Sequence, residues 1–265
     1  MCLIRWPGGG LSNSVNIPVG PAPGVSASGI VNAANPAVSG PLVPGSVGSI
    51  FGTNLAPDAV VAATPPLPYT LGDVTVEING IPAPLFFVAP TQINFQTPWD
   101  LLSFNRATLR IINGTLVSST LDVNVALAAP ALFSTNGSGG SQGEIRIAGS
   151  EVLAAPVDAF PNSRPVKRGE ELQIYATGLG PVSRTPSDGS AYPLTGPPAI
   201  TRTPIVTIGG APATVLFSEL ARGAVGLYQV NVTVPDDAPL GDAVPVSLSM
   251  SGVPSNTVTV AVQSN

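Results

Sequence analysis

The chain has 265 residues, of which 9% are charged and 44% hydrophobic, and its net charge is −5. It has no histidine and a single cysteine, Cys2, which excludes an internal disulfide, a Ser-His-Asp triad and the usual zinc ligand sets. One lysine, Lys167, and nine arginines form no basic patch, so neither nucleic acid nor an anionic membrane surface is an expected partner, and no apolar run nears the ~18 residues of a membrane span.

Residues 1–27 are rich in Gly, Pro, Ser and Asn without a hydrophobic period and read as a linker or disordered arm. Cys2 falls in this arm and reads as a free thiol. The segment around it has too short an apolar stretch for an export signal. The chain holds 29 glycines and 30 prolines, and beyond the arm they punctuate β-branched runs, the pattern of an all-β fold with many turns. The length suits two domains of roughly 100 residues.

A first unit is predicted over 28–127. Ser46–Gly52 reads as a strand, and Val74–Ile78 alternates as a half-buried strand does. Asn79-Gly80 is a strong hairpin signal, because a type I′ turn needs positive φ at both positions. Pro82–Val88 is predicted to return from that turn. Gln92–Thr97, Ala107–Ile112 and Leu116–Val125 follow, the last two joined at Asn113-Gly114. Segment 128–166 is expected to form a short hairpin packed on the second unit, burying Leu132, Phe133, Ile145 and Ile147. The second unit, 167–265, holds strands at Glu171–Ala176, Ile205–Ile208, Ala213–Phe217, Tyr228–Val234, Val244–Met250 and Thr257–Val262.

The second unit repeats the first. Ile78-Asn79-Gly80-Ile81-Pro82-Ala83 returns as Ile208-Gly209-Gly210-Ala211-Pro212-Ala213, and Gln92–Pro98 returns as Gln229–Pro235. Gln92 and Gln229 lie 137 positions apart, as do Val125 and Val262, whereas Ile50 and Ile174 lie 124 apart. Length changes therefore fall between predicted strands, as they do when a scaffold is kept and its loops vary. Any recognition surface is expected where the copies differ, around 56–72, 128–166, 181–203 and 218–227.

Each unit resembles an IPT/TIG domain, an immunoglobulin-like β-sandwich of the E-set type. The resemblance rests on Phe51-Gly52-Thr53-Asn54-Leu55, Asn79-Gly80-Ile81-Pro82, Pro98 and Val117-Ser118-Ser119-Thr120. In the second unit the corresponding runs are Tyr175–Gly180, Gly209-Gly210-Ala211-Pro212, Pro235 and Ser255-Asn256-Thr257. The stretch 28–263 is also similar to the Solibacter-type C-terminal domain of exported acidobacterial proteins, through Ser49–Ala56, Ile174–Pro181 and Gly226–Val232. That resemblance implies two sandwiches in tandem on an exported, surface-located polypeptide, and no activity.

The catalytic inventory is sparse. Glu170-Glu171 and Asp236-Asp237 are adjacent pairs, and neighbours on a strand point to opposite faces. They do not supply the facing carboxyls, roughly 5–9.5 Å apart, of a glycosidase. Asp236, Asp237 and Asp242 match no calcium-loop spacing. Gly137-Ser138-Gly139-Gly140 lacks the Lys-Ser/Thr of a phosphate loop and reads as a turn. No catalytic, cofactor or metal residue is assigned. The candidate ligand contacts are amides and aromatics. Alternation puts Gln92 and Asn94 on one strand face, and Gln229 and Asn231 on another. Trp99 and Tyr228 are the candidate stacking rings, Trp99 with a second reading as a staple over the first core.

The expectation is a non-catalytic, extracytoplasmic structural or adhesive module whose loops meet a protein or a cell-surface polymer. The alternative is a carbohydrate-binding accessory module of a polysaccharide-active protein. A hydrolase built on paired carboxylates is a more distant third.

Overall fold

A computed structural model describes residues 20–264. Cys2 and residues 1–19 of the predicted arm lie outside the described residues. Strand β1 (Gly24–Asn32) begins four residues ahead of position 28. Its Gly24 and Val25 pair with Thr53 and Gly52, so neighbouring strand backbone orders a segment that has no hydrophobic period of its own.

The first unit continues with β2 (Asn35–Ser39), β3 (Val47–Thr53), β4 (Val60–Val61), β5 (Val74–Ile78), β6 (Ile81–Pro82) and β7 (Leu85–Ala89). It ends with β8 (Gln92–Gln96), β9 (Arg106–Asn113), β10 (Leu116–Val117) and β11 (Leu121–Asn124). One sheet runs β2-β1-β3-β8-β7-β4; the other runs β10-β9-β5-β6 with β11 on β9. Ile30, Ile50, Val88 and Ile93 from the first face Val76, Ile78, Leu109 and Ile111 from the second in one buried cluster. Each such side chain contributes about 1.5–3 kcal/mol when fully buried.

Asn79 and Gly80 have φ of 52° and 78°, the two positive values that the turn requires. The returning strand differs from expectation: β6 pairs with β5 as far as Pro82, and β7 crosses to pair with β8 in the opposite sheet. The Ala83 N–H still donates to the Val76 carbonyl at 2.8 Å; Pro84, with no N–H, then ends the ladder. The predicted Leu116–Val125 strand is also split. The Ser118 hydroxyl accepts the Ile111 N–H at 2.9 Å, in place of a strand partner. Ser255 does the same for Leu248 at 3.0 Å in the second unit.

The second unit contains β12 (Ala131–Leu132), β13 (Ile145–Ile147), β14 (Leu153–Ala154), β15 (Ser163–Arg164), β16 (Val166–Lys167) and β17 (Glu171–Thr177). It is completed by β18 (Ile205–Ile208), β19 (Ala211–Leu220), β20 (Tyr228–Thr233), β21 (Gly241–Met250), β22 (Val253–Pro254) and β23 (Val258–Gln263). Strand β19 ties its two layers together. Residues 211–213 pair with β18, and residues 214–220 pair with β20 in the other layer. Strands β13 and β12 extend that layer beyond β17, placing Leu132, Ile145 and Ile147 in the core beside Leu172, Ile174, Val230 and Val232.

The fold is all-β: two immunoglobulin-like β-sandwiches in tandem. The one helical turn among the described residues is a 3-10 segment, Trp99–Ser103.

Candidate functional site

The six candidate ligand residues divide sharply. Tyr228 is fully buried and its hydroxyl donates to the Gly180 carbonyl at 2.7 Å; burial pushes its phenol pKa upward. Trp99 is also buried, and it packs into the core of the second unit, not over the first. Neither ring offers a face to a ligand. For Tyr228 the alternation of β20 points it inward; Trp99 enters the second unit because the 3-10 turn carries it past the end of the first sheet.

Trp99 sits at a junction made by the loops in which the two copies differ. The backbone N–H of Trp99 donates to Asp188 Oδ1 at 3.0 Å. The Gly189 N–H donates to Gln96 Oε1 at 2.6 Å, and the Leu67 N–H to the Gly189 carbonyl at 2.8 Å. Thr177 Oγ1 accepts the Val47 N–H at 3.0 Å and donates to the Gly226 carbonyl at 2.8 Å. The expected recognition surface comprised 56–72, 128–166, 181–203 and 218–227; the tips of the first, third and fourth contact the other unit here, and 128–166 lends Phe133 and Gly137 to the groove that Gln92 and Asn94 line. Burial raises the Asp188 carboxyl above its ordinary value, and Asp100 adds to this, while the Trp99 N–H opposes it. Gln96 Nε2, Thr97 Oγ1 and Trp99 Nε1 are buried here without a hydrogen-bond partner among the described residues.

The four amides hold different positions. Gln92 and Asn94 are half-exposed on the outer face of β8. Gln92 Nε2 donates to Asn94 Oδ1 at 2.8 Å, and the Ser49 hydroxyl donates to the same oxygen at 2.9 Å. Both amides line a groove of about 420 Å³ with Ser49, Phe51, Phe86 and Phe133. Phe133 belongs to the second unit, so the groove is built from both. On β20, Gln229 Nε2 donates to Asn231 Oδ1 at 2.9 Å, the same internal bond; Gln229 is half-exposed and Asn231 buried.

Sequence reasoning found the amides through their alternation but missed the phenylalanines. Phe51 and Phe133 were assigned to a strand and to a core. The signal for Phe51 was available: it is two residues from Ser49 and so shares that residue's outward face. Phe133 had no local signal, because its role depends on how the units meet.

Among the described residues no three of His, Cys, Asp and Glu converge as metal ligands. The Arg164–Glu170 pair, with N···O 2.8 Å, lowers the Glu170 carboxyl below its ordinary value and lies at the edge of the second unit, away from the groove.

Fold and site define a tandem immunoglobulin-like protein with a polar, aromatic-lined groove beside its domain junction. The chain matches no protein-family model and no curated protein. Among solved structures it is similar to the extracellular region of plexin A4, with 12% identity over 90% of this chain and 18% of that one, and a TM-score of 0.27. It is similar to SGBP-B of the Bacteroides ovatus mixed-linkage glucan utilization locus, solved with a mixed-linkage heptasaccharide, at 11% identity over 83% of this chain and 42% of that one, TM-score 0.33. It is also similar to domains 5–6 of the S-layer protein SbsC, at 12% identity over 92% of this chain and 99% of that one, TM-score 0.23.

Proposed function

We propose that the chain is a non-catalytic, extracytoplasmic module that holds two sandwiches in one fixed orientation on a larger exported polypeptide. The observation that carries this reading is the junction. Trp99 of the first unit is buried in the core of the second, and the 187–189 turn of the second unit returns hydrogen bonds to Gln96 and Leu67 of the first. One inserted ring, met by hydrogen bonds returned from the other unit, opposes the hinge freedom that is the default between domains. A histidine-free chain with dispersed carboxylates supports a non-catalytic role, and its uncharged polar composition together with the resemblance of its ordered runs supports export. Paired spin labels, one on each unit, test the reading. A single narrow distance distribution is expected; a broad one would overturn it.

A second reading, a carbohydrate-binding module, is favoured by one specific observation: the Gln92/Asn94 groove joins amide groups to aromatic side chains in a concave surface. Retention of the protein by an immobilised glycan tests it.

A further inference from the structure

We infer that the groove at the domain junction binds a neutral, hydroxyl-rich polysaccharide, and that the outer face of the second unit extends the same track. The inference rests on the carbohydrate-binding reading and adds the ligand class, the residues and the direction of the chain.

The ligand class follows from the lining. None of the groove's residues is charged, whereas the strong contacts to a carboxylate-bearing polymer come from Arg or Lys. Its polar groups are a serine hydroxyl and two amides, each a donor and an acceptor, which match the mixed donor-acceptor character of hydroxyls. Asn94 Oδ1 already accepts two hydrogen bonds, from Gln92 and Ser49. Its position is thereby fixed and its Nδ2 is left to donate outward. Gln92 spends its Nε2 on Asn94 and keeps Oε1 as an acceptor. A pre-oriented donor beside a pre-oriented acceptor is how a site gains polar specificity at low entropic cost. Phe51 is 39% exposed, a large apolar area left in contact with solvent beside these amides. With Phe86 and Phe133 it supplies ring faces for the apolar side of a sugar.

Extension of the track follows from the repeat. In the first unit Phe51 pairs with Gln92, and Ser49 with Asn94, whose other neighbour is Phe87. In the second unit Tyr175 pairs with Gln229, and Gln173 with Asn231, whose other neighbour is Phe217. Both copies place an aromatic residue beside Gln and another beside Asn, with an irregularity in the neighbouring strand at the same position, between Leu85 and Phe87 and between Val215 and Phe217. Both make the Gln-to-Asn amide bond. The core asks only for the inward residues of these strands; in the second copy Asn231 is covered, and Tyr175, Gln229 and Phe217 remain at the surface. The two arrays also meet. The Phe133 N–H donates to the Tyr175 carbonyl on the second face, and Phe133 lines the groove over the first. The Val47–Thr177 bond joins β3 to β17 end to end beneath it. A polymer lying along β3 and β8 would therefore continue over Phe133 towards Tyr175 and Gln229.

Affinity electrophoresis of the full chain through gels containing soluble β-glucan, xylan, mannan or polygalacturonate tests the inference. Retardation by at least one neutral polymer and none by polygalacturonate is expected. The double variant Gln92→Ala/Asn94→Ala, and separately Phe133→Ala, should each weaken binding at least about tenfold; Gln229→Ala should weaken it for long chains and spare short oligosaccharides. Near-ultraviolet circular dichroism of each variant identifies any that is misfolded, for which Phe51→Ala, with its exposed ring, substitutes. If a neutral polymer binds the wild type and the variants equally, the groove is wrong and the carbohydrate reading survives. If none of the four polymers binds, both fall, and the rigid-module reading stands on its own distance measurement. Retardation by polygalacturonate alone would overturn the ligand class.

Discussion

Gly45 lies flat against the indole of Trp99: a Cβ built on Gly45 would stand 2.1 Å from Trp99 Cη2, and the φ of Gly45 is 80°. Two constraints thus fall on one residue. The conformation favours glycine, and the space is filled by the ring that plugs the neighbouring unit. Gly45→Ala is expected to destabilise the chain by on the order of 2–4 kcal/mol, through left-handed strain and displacement of the indole. Trp99→Ala should cost about 3–5 kcal/mol. In calorimetry the wild type should unfold in one coupled transition, and either variant should split it into two, because the units then lose the ring that couples them. Trp99→Phe should keep the coupling, since the indole N–H it removes has no partner.

Asp188 makes the junction sensitive to pH in an unusual direction. Its carboxyl is raised by burial and by Asp100, so the folded state holds the proton more tightly than the unfolded chain, whose aspartates titrate near ~3.9. Its contribution to stability is complete below that value and declines as pH rises through the folded pKa. Asp188→Asn keeps the oxygen that accepts the Trp99 N–H and removes the charge. The variant should melt above the wild type at pH 7, by under roughly 3 °C given the partial exposure of the group, and the two should converge by pH 3. Thermal melts across that range check this. A variant less stable than wild type at pH 7 would count against a strained carboxylate.

Glu170 works with the opposite sign. The Arg164 guanidinium holds its carboxyl down, and the Lys167 N–H bonds to it as well at 2.7 Å. Its stabilisation is present above the ordinary glutamate pKa of about 4.3 and disappears as pH falls through the lower folded value. Glu170→Gln should therefore lower the melting temperature at pH 7, through a loss of less than about 1 kcal/mol for a half-exposed pair, and have no effect at pH 2. Salt should shrink the difference.

What the sequence disclosed and what it withheld follow the range of each interaction. Asn79-Gly80 was readable because its turn is decided by two adjacent φ angles. The outward set of Gln92 and Asn94 was readable because side-chain alternation is local to one strand. Gln96 obeys the same alternation, yet it is buried, its Oε1 accepting from Gly189 of the other unit. Nothing on β8 distinguishes it from Asn94. Trp99 misled for the same reason: a tryptophan just past a strand-ending proline reads as a cap on its own core, and only the placement of the second unit reveals which core it enters. The variable loops stood out by their differing lengths, but unequal length marks non-equivalent use, and docking is such a use as much as recognition.

Tyr228 separates a structural hydroxyl from a binding one. It is fully buried, and its hydroxyl satisfies the Gly180 carbonyl at a residue whose φ is 95° and where a Cβ would meet the Leu127 carbonyl oxygen at 2.3 Å. The turn at Gly180 is thus held from both sides. Tyr228→Phe keeps the ring and leaves that carbonyl without its donor, at a cost of about 1–3 kcal/mol. The melting temperature should fall by several degrees, on the order of 2–8 °C, while polysaccharide retardation stays at the wild-type value when measured below the transition. Loss of retardation in a folded Tyr228→Phe protein would instead place the second unit's core in contact with the ligand, and the outward track from Phe51 to Gln229 would no longer describe how this chain meets a polymer.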